Sequence, residues 1–76
     1  MAEVILPELG EGIDKATVSY WLFEVGQPVK EGEDLVEMAT DKAVFNVPST
    51  ITGILKQKVA QDGDEVKVKS VLAVIE

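Results

Sequence analysis

The group in this chain best placed to do chemistry is the amine of Lys42, within Thr40-Asp41-Lys42 and between two apolar runs, Leu35 to Ala39 and Ala43 to Val47. Small and polar residues between two strand-like runs favour a turn. Asp41 suits the opening of that turn, because an aspartate side chain accepts bonds from backbone N–H groups further along. The spacing therefore predicts a β-hairpin with Lys42 at or near its tip. An amine held there projects into solvent, where another protein can reach it, or where it only keeps the surface soluble. Position alone does not separate these roles.

The remaining composition narrows the chemistry. The chain of 76 residues has no histidine, cysteine or arginine. It therefore lacks the commonest general base and transition-metal ligand, and it can form neither a thiolate site nor a disulfide. Self-contained catalysis is not expected. Fourteen acidic residues against seven lysines give a formal charge of −7, a balance that repels nucleic acid and anionic membranes and suits protein partners with basic surfaces. No apolar run approaches the ~20 residues of a membrane span, and no secretory signal precedes the first strand. The expected location is the cytoplasm of a bacterium or the mitochondrial matrix of a eukaryote.

Short strands must position the hairpin. Val4 to Leu6 reads as a strand stopped by Pro7, followed by a wet loop from Glu8 to Lys15. Its Gly10-Glu11-Gly12 lacks the third glycine and the helix of a phosphate loop. Ala16 to Val25 reads as a long strand, apolar on both parities, which predicts a bulge; Trp21 within it is expected to anchor the core. Gly26-Gln27-Pro28 and Glu31 to Asp34 are turns around a buried Val29. After Pro48-Ser49-Thr50, further strands are expected at Ile51 to Val59, Val66 to Val68 and Val71 to Ile75, with a turn at Asp62-Gly63-Asp64. No segment has a sustained helical period, so the fold class is all-β, a small sandwich or barrel forming one domain. A chain this short buries only ~60% of its unfolded surface.

The chain also repeats itself. Gly26 to Lys30 matches Gly63 to Lys67 at an offset of 37, and the same offset pairs Leu35 with Leu72, Met38 with Ile75 and Val18 with Leu55. Val4 to Pro7 matches Phe45 to Pro48 at an offset of 41, which makes Glu8 to Lys15 the longer of two equivalent loops by four residues. Two such halves, facing each other about an approximate two-fold axis, can bury what one half leaves wet. The first strand is expected to pair with its repeat mate, which would send the Glu8–Lys15 loop to the Lys42 end and gather Glu8, Glu11, Asp14 and Asp41 there. The chain ends would meet at the place equivalent to Lys42.

Pro7-Glu8-Leu9-Gly10-Glu11-Gly12-Ile13, then Gly26 with Pro28-Val29, then Thr40-Asp41-Lys42-Ala43 and Val47-Pro48-Ser49 resemble a lipoyl domain of the acyltransferase component of 2-oxo acid dehydrogenase complexes. The resemblance covers nearly the whole chain. It implies a flattened barrel of two four-stranded antiparallel sheets with pseudo-two-fold symmetry. It implies lipoic acid joined as an amide to Lys42, with Thr40, Asp41, Ala43 and Gly26 serving the attachment turn, and Glu8, Leu9, Gly10, Glu11, Gly12, Ile13, Asp14 and Lys15 forming a partner-recognition loop. The implied partners are a lipoyl-attaching enzyme, a thiamine-dependent 2-oxo acid decarboxylase, an acyltransferase core and dihydrolipoamide dehydrogenase. The isolated domain is expected to be monomeric and to be the N-terminal part of a longer acyltransferase chain. A protein without cysteine, histidine or a redox group needs such a borrowed cofactor to carry acyl groups or electrons, and tethering keeps that cofactor at high effective concentration. One position departs from the pattern: Ala39 stands three before the lysine, where the family has an acidic residue, and Glu37 is the carboxylate nearest along the same strand face.

Four other readings compete. A biotinyl domain shares the fold but sets its lysine between methionines, whereas Asp41 and Ala43 flank Lys42. A glycine-cleavage carrier would be longer. An unmodified barrel-sandwich domain would serve as an adaptor. An acidic calcium module would rest on Asp62, Asp64 and Glu65, which lack the alternating ligand series of a calcium loop and read as a solvated turn.

Overall fold

The computed structural model describes residues 2–76. Eight strands follow one another: β1 (Ala2–Ile5), β2 (Lys15–Trp21), β3 (Pro28–Val29), β4 (Asp34–Ala39), β5 (Val44–Pro48), β6 (Gly53–Lys58), β7 (Glu65–Lys67) and β8 (Val71–Ile75). They form two four-stranded antiparallel sheets, ordered β1-β8-β6-β3 and β5-β4-β2-β7, and no helix occurs among the described residues. The whole measures 33 × 19 × 17 Å.

The repeat appears in the pairing itself. Val18 faces Met38 across β2 and β4, and Leu55 faces Ile75 across β6 and β8, each pair displaced by 37 residues from the other. Both ladders carry a bulge at the equivalent place, between Val18 and Tyr20 and between Leu55 and Gln57. The bulge expected in the long second strand is thus present. It resolves the double-sided apolar pattern: Val18 is buried, while beyond the extra residue Trp21 turns inward and Tyr20 stays 46% exposed.

Four expectations need correction. The strand ends at Trp21 instead of Val25, because Leu22 gives its N–H to Leu35 as the last bond of that ladder and Glu24 to Gln27 then fold into a turn. The later strand covers Gly53 to Lys58 instead of Ile51 to Val59. Neither half makes a sheet of its own, and β1 does not pair with its repeat mate β5. Instead β1 pairs with β8, β5 pairs with β4, and the short β3 and β7 cross to the opposite sheet to pair with β6 and β2. With Val4 opposite Ala73 and Val47 opposite Val36, the true offset of the first strand is 43. The offset of 41 rested on the shared proline, but Pro7 lies beyond β1 whereas Pro48 closes β5. The loop into β2 is consequently six residues longer than its counterpart, not four.

Each sheet contributes alternate side chains to one core. Val4, Leu6, Val18, Val29, Leu35, Met38, Val47, Leu55, Leu72 and Ile75 are all at most 3% exposed. At roughly 1.5–3 kcal/mol per buried aliphatic side chain, this core is what offsets the chain entropy of so small a domain. Trp21 packs on its margin and donates its indole N–H to Ala60 O at 3.0 Å, with Lys58 Nζ 5.5 Å from the ring centroid.

Candidate functional site

Strands β4 and β5 run together as far as the facing pair Ala39 and Val44, and the chain reverses across Thr40 to Ala43. Thr40 donates its backbone N–H to Ala43 O at 2.8 Å. Its hydroxyl oxygen accepts the N–H of Lys42 at 3.2 Å and of Ala43 at 3.1 Å, and the hydroxyl proton is directed at Ala43 O, 3.1 Å away. Neither Asp41 nor Lys42 has a positive φ. The tip is therefore not one of the mirror-image turns whose twist matches a hairpin, and a loop of ordinary hand tends to splay its strands. The Thr40 hydroxyl counters that tendency by tying three atoms of the turn together. Asp41, credited with this role from sequence, makes no hydrogen bond among the described residues and lies exposed. Threonine and aspartate both bond to nearby backbone, and their order along the chain does not say which of them does so.

Lys42 is exposed at the tip. The ion pairs among the described residues are Lys15–Glu65 at 3.4 Å, Lys58–Glu24 at 3.3 Å and Lys69–Glu8 at 3.8 Å, so Lys42 stands outside all of them. The second half of the long loop reaches the hairpin. Gly12, Ile13, Asp14 and Lys15, the β2 residues Ala16 and Thr17, the hairpin residues Ala39 to Lys42, and Glu65 enclose an open groove of about 380 Å³. The loop is fixed from within by Ile13 N–H on Gly10 O at 3.2 Å, by Val68 N–H on Asp14 O at 2.9 Å, and by Leu9 packed on the core.

Of the four carboxylates expected beside Lys42, Asp14 and Asp41 line this groove. Glu8 pairs instead with Lys69, and Glu11 lies exposed outside the groove lining. Glu65 is a carboxylate that sequence reasoning did not place here; the exchange of β7 onto β2, which sets Glu65 opposite Thr17, brings it in. Gly26 is not near the hairpin. Its N–H donates to Leu55 O at 2.7 Å, and Leu55 faces Ile75, which in turn faces Ala2 where the chain ends meet. That pairing of Ala2 with Ile75 is the repeat equivalent of Phe45 with Met38, so the chain ends and the Lys42 tip are exchanged by the pseudo-two-fold axis. Gly26 is required by its backbone, with φ of 97°, a value matched by 87° at its mate Gly63. Glu37 sits opposite Tyr20 on the outer face, where its charge, with some burial and a hydrogen bond, raises the phenol above its ordinary pKa of 10.0.

Comparison with known proteins agrees with this geometry. The family described as "Biotin-requiring enzyme", the biotin/lipoyl domain, matches residues 2–75. The chain is 43% identical over 75 residues to the dihydrolipoyllysine-residue succinyltransferase component of the 2-oxoglutarate dehydrogenase complex of Staphylococcus saprophyticus, covering 99% of this chain and 18% of that protein. It is 39% identical over 72 residues to the acetyltransferase component of the pyruvate dehydrogenase complex of Corynebacterium glutamicum, covering 95% of this chain and 11% of that protein. Among solved structures, the lipoyl domain of the 2-oxoglutarate dehydrogenase complex from Azotobacter vinelandii superposes with a TM-score of 0.77 at 32% identity, covering 99% of this chain and 96% of that one. Kluyveromyces lactis urea carboxylase shares the fold at a TM-score of 0.80, with 22% identity over 97% of this chain and 6% of that one. The chain therefore belongs to the biotin/lipoyl attachment family, as a lipoyl domain of the kind found in the acyltransferase components of 2-oxo acid dehydrogenase complexes.

Proposed function

We propose that this domain is a carrier that holds lipoate as an amide on Nζ of Lys42 and presents it to the enzymes of a 2-oxo acid dehydrogenase complex. The observation that carries the reading is the lysine itself: exposed, outside every ion pair among the described residues, and mounted on a turn braced by the Thr40 hydroxyl. These residues fit the group. An exposed amine outside any ion pair is open to an enzyme's approach, and a braced turn gives an attaching enzyme a fixed target without the ordering cost of ~1–2 kcal/mol per residue that a floppy peptide incurs. In attachment, Nζ forms the amide bond with an activated lipoyl carboxyl. The activating group leaves with the C–O electron pair, and the surplus ammonium protons pass to solvent. One positive charge is lost, so a formal −7 becomes −8.

When bound, the lipoyl group supplies a dithiolane that accepts an acyl group together with two electrons. The protein's own part is presentation. Its rigid sheet sets the lysine out from the core, its acidic surface favours partners with basic entrances, and the chain ends lie across the pseudo-two-fold axis from the working tip. The partners on this reading are a lipoyl-attaching enzyme, a thiamine-dependent decarboxylase, the acyltransferase core and dihydrolipoamide dehydrogenase, with this domain as one part of a longer acyltransferase chain. The Glu8–Lys15 loop, six residues beyond what the repeat requires and partly on the hairpin groove, is the recognition surface for the decarboxylase.

The test is intact mass and peptide mapping after incubation with lipoate, ATP and a lipoyl-attaching enzyme. One lipoyl group on Lys42, lost in Lys42→Arg, is expected. Modification surviving in Lys42→Arg, or biotin attached in its place by a biotin ligase, would overturn the assignment.

A further inference from the structure

The groove beside Lys42 has a floor as well as a rim. Thr17, Ala39 and Val44 lie side by side on the outer face of the β5-β4-β2-β7 sheet, in the register Thr17 to Ala39 to Val44. Ala39 is half-buried and Ile13 comes half-buried from the long loop, while Val44, 61% exposed, continues the row outside the groove lining. Charged groups on this groove stay at its margins: Lys15 is occupied by Glu65, and Asp14 and Asp41 belong to the loop and the turn. Ile13, Thr17 and Ala39 thus bring methyl groups together between these charges, with Glu65 opposite Thr17 at one side, in a short patch that starts one residue from the turn bearing the lysine. Because Lys42 itself lines the groove, anything attached to its amine is held at high local concentration over that patch.

We infer that this groove is a resting site for the arm carried by Lys42: Ile13, Thr17 and Ala39 receive its hydrocarbon portion, and partner enzymes engage a docked arm that must first be lifted out. The inference rests on the carrier reading above, which supplies the occupant. The volume of about 380 Å³, open along one side, admits a flexible chain and lets it leave without any backbone movement. A methyl group at Ala39 is what makes the floor apolar. A carboxylate at the same position would place an ion where the arm has to lie, and an ion does not give up its water to a hydrocarbon neighbour cheaply.

The test compares backbone amide spectra of the unmodified and lipoylated domain, with intact mass confirming that each lipoylated sample is fully modified. Docking predicts that the amides of Ile13, Thr17 and Ala39 move as far as that of Ala43, and that the arm's methylene protons show through-space contacts to the Ile13 and Ala39 side chains. In lipoylated Ala39→Glu these contacts and distant shifts should vanish while the spectrum stays dispersed; in Ala39→Leu they should persist or strengthen. Full modification with shifts confined to Thr40–Val44 overturns the docking and leaves the carrier assignment standing. Absence of modification on Lys42 removes both.

Discussion

Replacing Thr40 by valine keeps the shape and β-branching of the side chain while deleting the hydroxyl that closes the Lys42 turn. Three bonds go with it, at 3.2, 3.1 and 3.1 Å. All lie at the long end for hydrogen bonds, and water can reach the freed N–H groups of the exposed tip. Each bond is therefore taken at the low end of its usual net value, roughly 0.5 kcal/mol, for a loss of about 1.5 kcal/mol. In a domain of this size that corresponds to a melting temperature roughly 6–12 °C lower. Thr40→Ser retains the hydroxyl and should recover most of the difference. The same pair of variants separates stability from presentation. At a temperature where both are fully folded, the rate of lipoyl attachment should fall for Thr40→Val and be restored in Thr40→Ser. Urea melts followed by Trp21 fluorescence, alongside intact-mass time courses of attachment, measure both effects. If Thr40→Val matched wild type in both assays, the hydroxyl would not be what holds the turn, and the argument for a braced lysine would fall with it.

Moving the lysine to position 41 or 43, with alanine at 42, should nearly abolish attachment, since the turn that presents it is specific to one position; equal labelling at all three positions by mass spectrometry would contradict this. Removing the six extra residues of the Glu8–Lys15 loop should leave attachment at Lys42 intact but sharply lower the rate of reductive acylation by a cognate decarboxylase; the wild-type rate should fall with rising salt as surface charges are screened. Gly53→Ala should cost about 1–3 kcal/mol in a urea melt, because the new Cβ would stand 2.8 Å from Glu76 O and 3.0 Å from Ile75 Cγ2. Stability should also decline at alkaline pH more steeply in wild type than in Tyr20→Phe. Glu37 raises the folded Tyr20 pKa above 10.0, so the unfolded chain loses its proton first and the contribution present below pH 10.0 disappears as pH climbs through the folded value; parallel melts at neutral pH and above pH 10 check it.

Local features were the ones legible in the sequence. The Lys42 hairpin, the run of short strands and the bulge in β2 each follow from alternation and turn chemistry within a few residues, and all are present. The repeat was visible at an offset of 37, because Gly26 and Gly63 occupy the same backbone turn with φ of 97° and 87°. Failures came where identity was mistaken for register. Pro7 and Pro48 look alike but lie differently relative to their strands, which hid the offset of 43 and the true length of the loop. Nothing local marks Pro28–Val29 and Glu65–Lys67 as strands that cross to the opposite sheet, since two or three residues carry no pattern of their own. For that reason nothing in the sequence brings Glu65 into the groove, and Gly26 is linked to Lys42 only by family resemblance, which carries no distance.

The crossing of β7 has a consequence in the order of synthesis. Residues Asp34 to Pro48 contain the whole hairpin and leave the ribosome early, yet β2, their support, is itself flanked by residues 65–67. The other sheet, which covers the inward side of β4, is completed only by β8, ending at Ile75. Until those strands are made, the hairpin bearing Lys42 lacks both its flanking support and its inward cover. On the carrier reading, an attaching enzyme that reads the shape of the turn would pass over unfinished and truncated chains.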